Sequence, residues 1–424
     1  MPNSSFALWG GRSLIAVALL IGIVSIFGYA RYARFHSRIE ALKAAGELPS
    51  FEELSFEVET PENDALFYLN EIFDSAQAAN RVFSEFEAEQ NSSRTSDEAF
   101  SLFDSLSSEY PKLFDTISLA AAAPEMSYKI EFDDAPSDLL KLSNVLRLLD
   151  WKCEIQIARD EFDSAFDTAV ELFRLGKLKS KRGTLLDSLQ ANFMQRRASR
   201  RLVEASAEKA FSVENLELVK SLLEDVEPLA NLQRSLLFER ALGTYGMINV
   251  NDVREFRGPY ENPLSTEALT MQFQFGPAVV VGNDYLDSME TAIKNCELPL
   301  SEEVTFGPNN NSFILDAFGG DAAPVYERIR MSVGESVAQN RILQIVLALD
   351  REPSAAERND WPREYLIEIG VAEEATIDPF DGKPMRIKRE NGRWVVYSCG
   401  RDRLDDGGNR ESDCGFFQMK NPKD

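Results

Sequence analysis

The residues best suited to chemistry lie near the end of the chain, between Asp378 and Cys414. The stretch opens Asp378-Pro379-Phe380-Asp381-Gly382-Lys383-Pro384 and passes through two short strand-like runs. It continues Tyr397-Ser398-Cys399-Gly400-Arg401-Asp402-Arg403-Leu404-Asp405-Asp406-Gly407-Gly408 and on to Asp413. Glycines interleaved with carboxylates let a loop fold tightly and aim several oxygens at one point, the donor set that a hard cation such as calcium takes. The same residues also serve backbone geometry alone, because Asp, Asn and Gly are the ordinary residues of tight turns. Cys399 and Cys414 bracket this loop. In an oxidising compartment a bridge between them would staple it, contributing about 3 kcal/mol by loop-closure arithmetic.

Composition narrows the classes of function. The chain has 424 residues, of which 44% are hydrophobic, so it can bury a substantial core. A net charge of -25 argues against nucleic acid as a partner, since phosphate binding needs a basic face. It argues equally against the body lying flat on anionic lipid. The single histidine, His36, rules out a metal site or triad built on several histidines. Cys153, Cys296, Cys399 and Cys414 lack the paired spacing of a zinc site. Cys153 sits beside Trp151 in a helical pattern and reads either as a buried thiol or as a partner of Cys296. No G-x-S-x-G, H-E-x-x-H, P-loop or strand-linked G-x-G-x-x-G occurs, so the expectation is a protein that is not an enzyme.

Other elements must position the acidic stretch. At the opposite end, Leu14 to Ala30 is an apolar run preceded by Arg12 and followed by Arg31, Arg34 and Arg38. It meets the roughly 17–25 residues that span a bilayer, with Trp9, Tyr29, Tyr32 and Phe35 as interfacial aromatics. Gly28-Tyr29-Ala30 offers a signal-peptidase alternative, but a helical pattern continues past it, which favours a retained transmembrane helix over about 13–30. The arginine count favours the opposite orientation. The cysteines favour an exported body.

Between the ends the pattern is helical. Ser50 with Glu53 forms a capping-box pair, and Ala65, Leu66, Leu69, Ile72 and Phe73 recur on one helical face. Further helices are expected over 96–110 and 111–123. Leu139 to Asp160 and Phe162 to Leu178 read as a helical hairpin that turns at Arg159-Asp160-Glu161. Its alanines resemble a tetratricopeptide-type repeat without the turn glycine, and no clean period recurs. Helices are also expected over 184–209, 213–226, 229–247, 324–349 and 362–369. The basic run Arg196, Arg197, Arg200 and Arg201 reads as a solvated face paired with acids. Residues 249–311 are mixed, interrupted by Pro259, Pro263, Pro277 and Pro299. Pro384–Lys388 and Arg393–Tyr397 are strands joined through Asn391-Gly392, a strong hairpin signal.

Taken in order, Asp378, Pro379, Phe380, Gly382, Pro384, Tyr397, Ser398, Gly400, Asp402, Gly407, Gly408 and Asp413 resemble the C-terminal calcium-binding region of the major pseudopilins of type II secretion. That resemblance implies Asp402 and Asp413 as calcium ligands, a third carboxylate from Asp405 or Asp406, and carbonyls near Ser398 and Cys399. It also supports an exported body. The chain departs from the family at Asp381, an insertion, and at Arg403, which replaces a glycine. The family's N-terminal processing site is absent, so the resemblance implies a borrowed module. A second resemblance, carried by Arg38-Ile-Glu-Ala-Leu-Lys-Ala-Ala-Gly-Glu47, Asn63-Asp-Ala-Leu-Phe-Tyr-Leu69, the helical hairpin and the Asp-Pro-Phe ending, is to bacterial membrane-anchored proteins. It implies an architecture and no chemistry.

The expected molecule is therefore mainly α. It has an anchor at 1–38, a helical-bundle or tetratricopeptide-like body at 39–370, and a pseudopilin-like β-hairpin module with an acidic Gly-rich loop at 371–424. It would be single-pass in a bacterial inner membrane with a periplasmic body. The leading functional expectation is a scaffold that binds other proteins. The alternatives are a part of a secretion or envelope-assembly machine, and a carboxylate-based hydrolase. The sequence leaves the oligomeric state open.

Overall fold

The capping box at Ser50 forms. The Ser50 amide donates to the Glu53 carboxylate at 2.6 Å, and the Glu53 amide donates to the Ser50 hydroxyl at 3.3 Å. It starts a single turn, α2 (Phe51–Leu54), after a helix α1 at 33–44. The computed structural model describes residues 33–89, 96–128, 137–181, 183–224, 226–251, 282–304, 323–358, 360–390, 393–409 and 412–415. The apolar run at 13–30 lies outside them. Among the described residues no helix is long and apolar enough to cross a membrane.

Two compact units are present, and the chain passes between them more than once. One comprises Met1–Glu53, Leu236–Lys294 and Thr305–Val325; the other comprises Leu54–Ser235, Asn295–Val304 and Tyr326–Asp424. In the first, α1, the later part of α10 (Pro228–Asn251) and α11 (282–295) supply the described structure. Phe35 and Ile39 of α1 are buried, and Arg38 donates to the Asn283 carbonyl at 3.2 Å and pairs with Asp287 at 2.7 Å. The prolines around α11 obscured it in the sequence, although Leu286, Met289, Ala292 and Ile293 keep helical spacing and are buried.

The second unit begins with α3 (Ala65–Glu89), α4 (Ser96–Glu109) and α5 (Leu113–Ala122). The hairpin of α6 (Ser137–Ala158) and α7 (Phe162–Ser180) follows, then α8 (Leu185–Glu208) and α9 (Val213–Glu224). Asp160 turns the hairpin at φ 61°, supplying the left-handed residue that the missing glycine would have supplied. Thr184 and Asp187 form a full capping box at the start of α8. Gly176 of α7 lets α8 approach, since a Cβ there would lie 3.1 Å from the Ala191 carbonyl. One apolar core runs through these helices, including Leu69, Ile117, Leu149, Phe166, Phe173 and Leu202. Burying each such side chain stabilises the fold by about 1.5–3 kcal/mol.

The basic run of α8 is paired throughout. Arg197 and Arg201 reach Asp150, Arg201 also reaches Glu154 and Glu204, Arg200 reaches Glu204, and Arg196 reaches Glu335.

Helix α12 (Ala323–Arg351) has two apolar faces. Leu343 and Leu347 enter the bundle core. Ile342, Ile345, Val346 and Leu349 enter a second core with Tyr365 and Leu366 of α13 (Arg363–Glu368), Val371, Met385 and Val396. That second core underlies an antiparallel sheet of β1 (Arg386–Glu390), β2 (Arg393–Ser398) and β3 (Cys414–Gly415) in the order β1-β2-β3. The fold is thus mainly helical with a small sheet near its end. The described residues from 371 onward fall in the same compact unit as the bundle, and α12 contributes to both cores.

Candidate functional site

The hairpin register sets the site. Glu390 pairs with Arg393, so counting back places Arg386 opposite Tyr397. Both side chains then stand on one face of the sheet, and both reach the acidic loop. Arg386 Nε donates to Asp405 at 3.2 Å, and the Tyr397 hydroxyl donates to the same carboxylate at 3.1 Å. The Arg386 guanidinium also pairs with Asp378 and Asp381. One guanidinium therefore bridges three carboxylates.

Asp378 is the most deeply placed of these acids and is fully buried. Its Oδ1 accepts the Phe380 amide at 2.9 Å and the Ser398 hydroxyl at 2.8 Å, and its Oδ2 accepts the Cys399 amide at 2.9 Å. Burial works against the charge of Arg386. The hydrogen bond to Asp381 and the charges of Asp378 and Asp381 outweigh it and hold its pKa above the ordinary value. Burial pushes the Asp381 carboxyl up, yet its bonds to Arg386 and the Lys383 amide leave it below the usual carboxylate range. The Gly407 amide and Arg386 hold Asp405 low as well.

The loop residues singled out from the sequence are placed as follows. Asp413 Oδ2 accepts the Gly408 and Asn409 amides, both at 2.8 Å. Asp402 accepts the Leu404 amide at 3.1 Å. Asp405 accepts the Gly407 amide at 3.0 Å, and Asp406 is exposed. Ser398 donates to Asp378 and accepts the Gly400 amide at 3.2 Å. Gly400, Gly407 and Gly408 all have positive φ. So does Arg403, at 60°, at the position where the pseudopilin pattern has glycine. Its guanidinium donates to the Leu300 and Glu302 carbonyls, each at 3.1 Å, which offsets part of the conformational cost.

Calcium takes six to eight oxygens facing one point. Among the described residues the set of three or more acidic or thiol groups close enough to share an ion is Asp378, Asp381 and Cys399, and Arg386 already reaches its two carboxylates. The loop acids Asp402, Asp405 and Asp413 each accept backbone N–H groups from the loop itself.

Among the described residues no disulfide joins Cys153, Cys296, Cys399 or Cys414. Cys414 lies opposite Ser398 in the sheet and packs against the cluster of Ala338, Phe380 and Cys399, so the two cysteines expected to bracket the loop share one apolar cluster. Burial pushes all four thiols up to about 12.

The hub residues Arg386, Asp381 and Asp378 were not read as a site in the sequence. Asp378 and Asp381 stood out as motif and insertion. Arg386 was findable by counting the hairpin register back from Asn391-Gly392. No protein-family model, curated protein or solved structure matches the chain.

Proposed function

We propose that this chain is a membrane-tethered, extracytoplasmic scaffold that binds another protein along the outer face of α8. The observation that carries the reading is an apolar strip on that helix. Leu186 and Phe193 are each 53% exposed and lie two turns apart, with the half-buried Leu189 between them. Arg197 stands over the Phe193 ring at 5.1 Å and is itself paired with Asp150. An apolar strip edged by fixed charge is the form that protein-binding helices take. The helical body reads as a bundle and not as a solenoid, since α6 packs on α3, α7 and α8 together, whereas repeat units touch their neighbours in series. The run at Leu14–Ala30 supplies the tether.

A photo-crosslinking amino acid in place of Phe193, in the intact membrane-bound chain, tests the surface. The expected result is a discrete adduct that disappears with Leu186→Asp. An absence of any adduct at Phe193, with adducts equally frequent at polar positions of α8, would sink the assignment. Protease added to spheroplasts tests the topology; a body that stays protected would place it on the other side of the membrane.

A further inference from the structure

We infer that Arg386 is a built-in counter-ion that takes over the charge-neutralising role a divalent cation plays in calcium-binding loops, so that the C-terminal module folds without metal. Three acids from two stretches of chain, Asp378 and Asp381 in one turn and Asp405 in the acidic loop, converge on one side chain. Asp378 is fully buried, and Asp381 and Arg386 are nearly so, with side chains 8% and 14% exposed, while Asp405 closes the cluster from the loop surface with its side chain 45% exposed. Unpaired carboxylates brought this close, out of water, repel one another. A guanidinium is the side chain able to answer all three, because its planar fork of donors addresses several oxygens at once and stays charged at any physiological pH.

The rest of the loop agrees. Asp413 is committed to the Gly408 and Asn409 amides, and Asp402 closes a turn with Leu404. Lys388 donates to the Gly407 carbonyl at 2.7 Å, using an oxygen that could otherwise ligate a cation. A second positive side chain thus sits against the loop. The inference does not depend on the binding surface proposed for α8, and it stands or falls on different measurements.

The test compares the full chain in mild detergent with and without millimolar calcium, by calorimetric titration and thermal melting. The wild type is expected to show no saturable heat and no change in midpoint, either with calcium or after chelation. Arg386→Met, which keeps the stem and removes the charge, is expected to lower the midpoint by several degrees at neutral pH. That loss is expected to shrink at acid pH, where Asp381 and Asp405 take up protons and no longer need a counter-charge. A merely packing role for Arg386 would give the same loss at both pH values, and that result would overturn the inference. So would one-to-one calcium binding by the wild type that is lost in an Asp402→Ala, Asp413→Ala double variant. If Arg386→Met fails to fold, the wild-type calcium titration still decides.

Discussion

Replacing Phe380 with alanine should destabilise the bundle and the C-terminal sheet together. Phe380 is fully buried and packs with Ala338, Cys399, Met331 and Cys414. Its ring seats against Gly334 of α12, where a Cβ would come within 3.0 Å of the ring. Phe→Ala changes in cores cost about 3–5 kcal/mol, less where the surroundings collapse into the space. Collapse is resisted here. The Phe380 amide is fixed by Asp378 at 2.9 Å, the Ile377 carbonyl by Arg341 at 2.7 Å, and the far wall is a helix. We therefore expect about 4 kcal/mol, from the middle to upper part of that range. A unit larger than about 250 residues shifts by about 2 °C per kcal/mol or a little less, so the midpoint should fall by roughly 8 °C. The assay is urea unfolding followed by two probes. Far-UV circular dichroism reads the helices. Fluorescence in a Trp151→Phe background reads chiefly the edge-to-face pair Trp361 and Trp394, 5.2 Å apart beside the sheet. Because α12 lies in both cores, the two transitions should coincide in the wild type and shift together in the variant. A fluorescence transition that moves while the helical transition stays fixed would show that the sheet unfolds alone, and the reasoning from a shared α12 would fail.

Arg201→Met should cost about 3 kcal/mol, because the nearly buried guanidinium bonds Asp150, Glu154 and Glu204 at 2.8–2.9 Å; adding Asp150→Asn should recover part of the loss in a double-mutant cycle of urea midpoints. Stability should fall on acidification through Asp381 and Asp405, whose folded pKa values are held low. Their contribution is present above the unfolded carboxyl pKa near 4 and is lost as pH drops through the folded values, so Asp381→Asn should flatten the acid limb of a melting-point-versus-pH curve. All four thiols, with pKa values raised to about 12, should resist a thiol reagent in the native protein and react together once it is denatured; rapid native labelling of Cys399 would contradict its burial.

Much of the helical framework was legible because its signals are local. Ser50 with Glu53, and the apolar spacing of α3, α6, α7 and α12, each state their element within a few residues. The helix at 282–295 was missed because prolines on both sides mask a pattern only four turns long. The sheet's third strand, Cys414–Gly415, is too short to leave any pattern of its own. The carboxylate hub was hidden for a different reason. A loop rich in Asp and Gly has the same composition whether its oxygens face an ion or face amides. Only the position of Arg386, fixed by strand register, separates the two cases. The double use of α12 was equally invisible, since a helix apolar on two faces reads in sequence as one helix with a broad stripe.

The sharing of α12 also sets an order of assembly. The bundle helices, from Ala65 to Glu224, leave the ribosome well before Leu343 and Leu347, which complete their core. A nascent chain at that stage holds an open apolar seam that it cannot close by itself. Closure waits for contacts spanning well over a hundred residues, which makes the last step slow and leaves the earlier species prone to aggregation. Premature termination before α12 should therefore yield an insoluble fragment and not a shortened, working bundle.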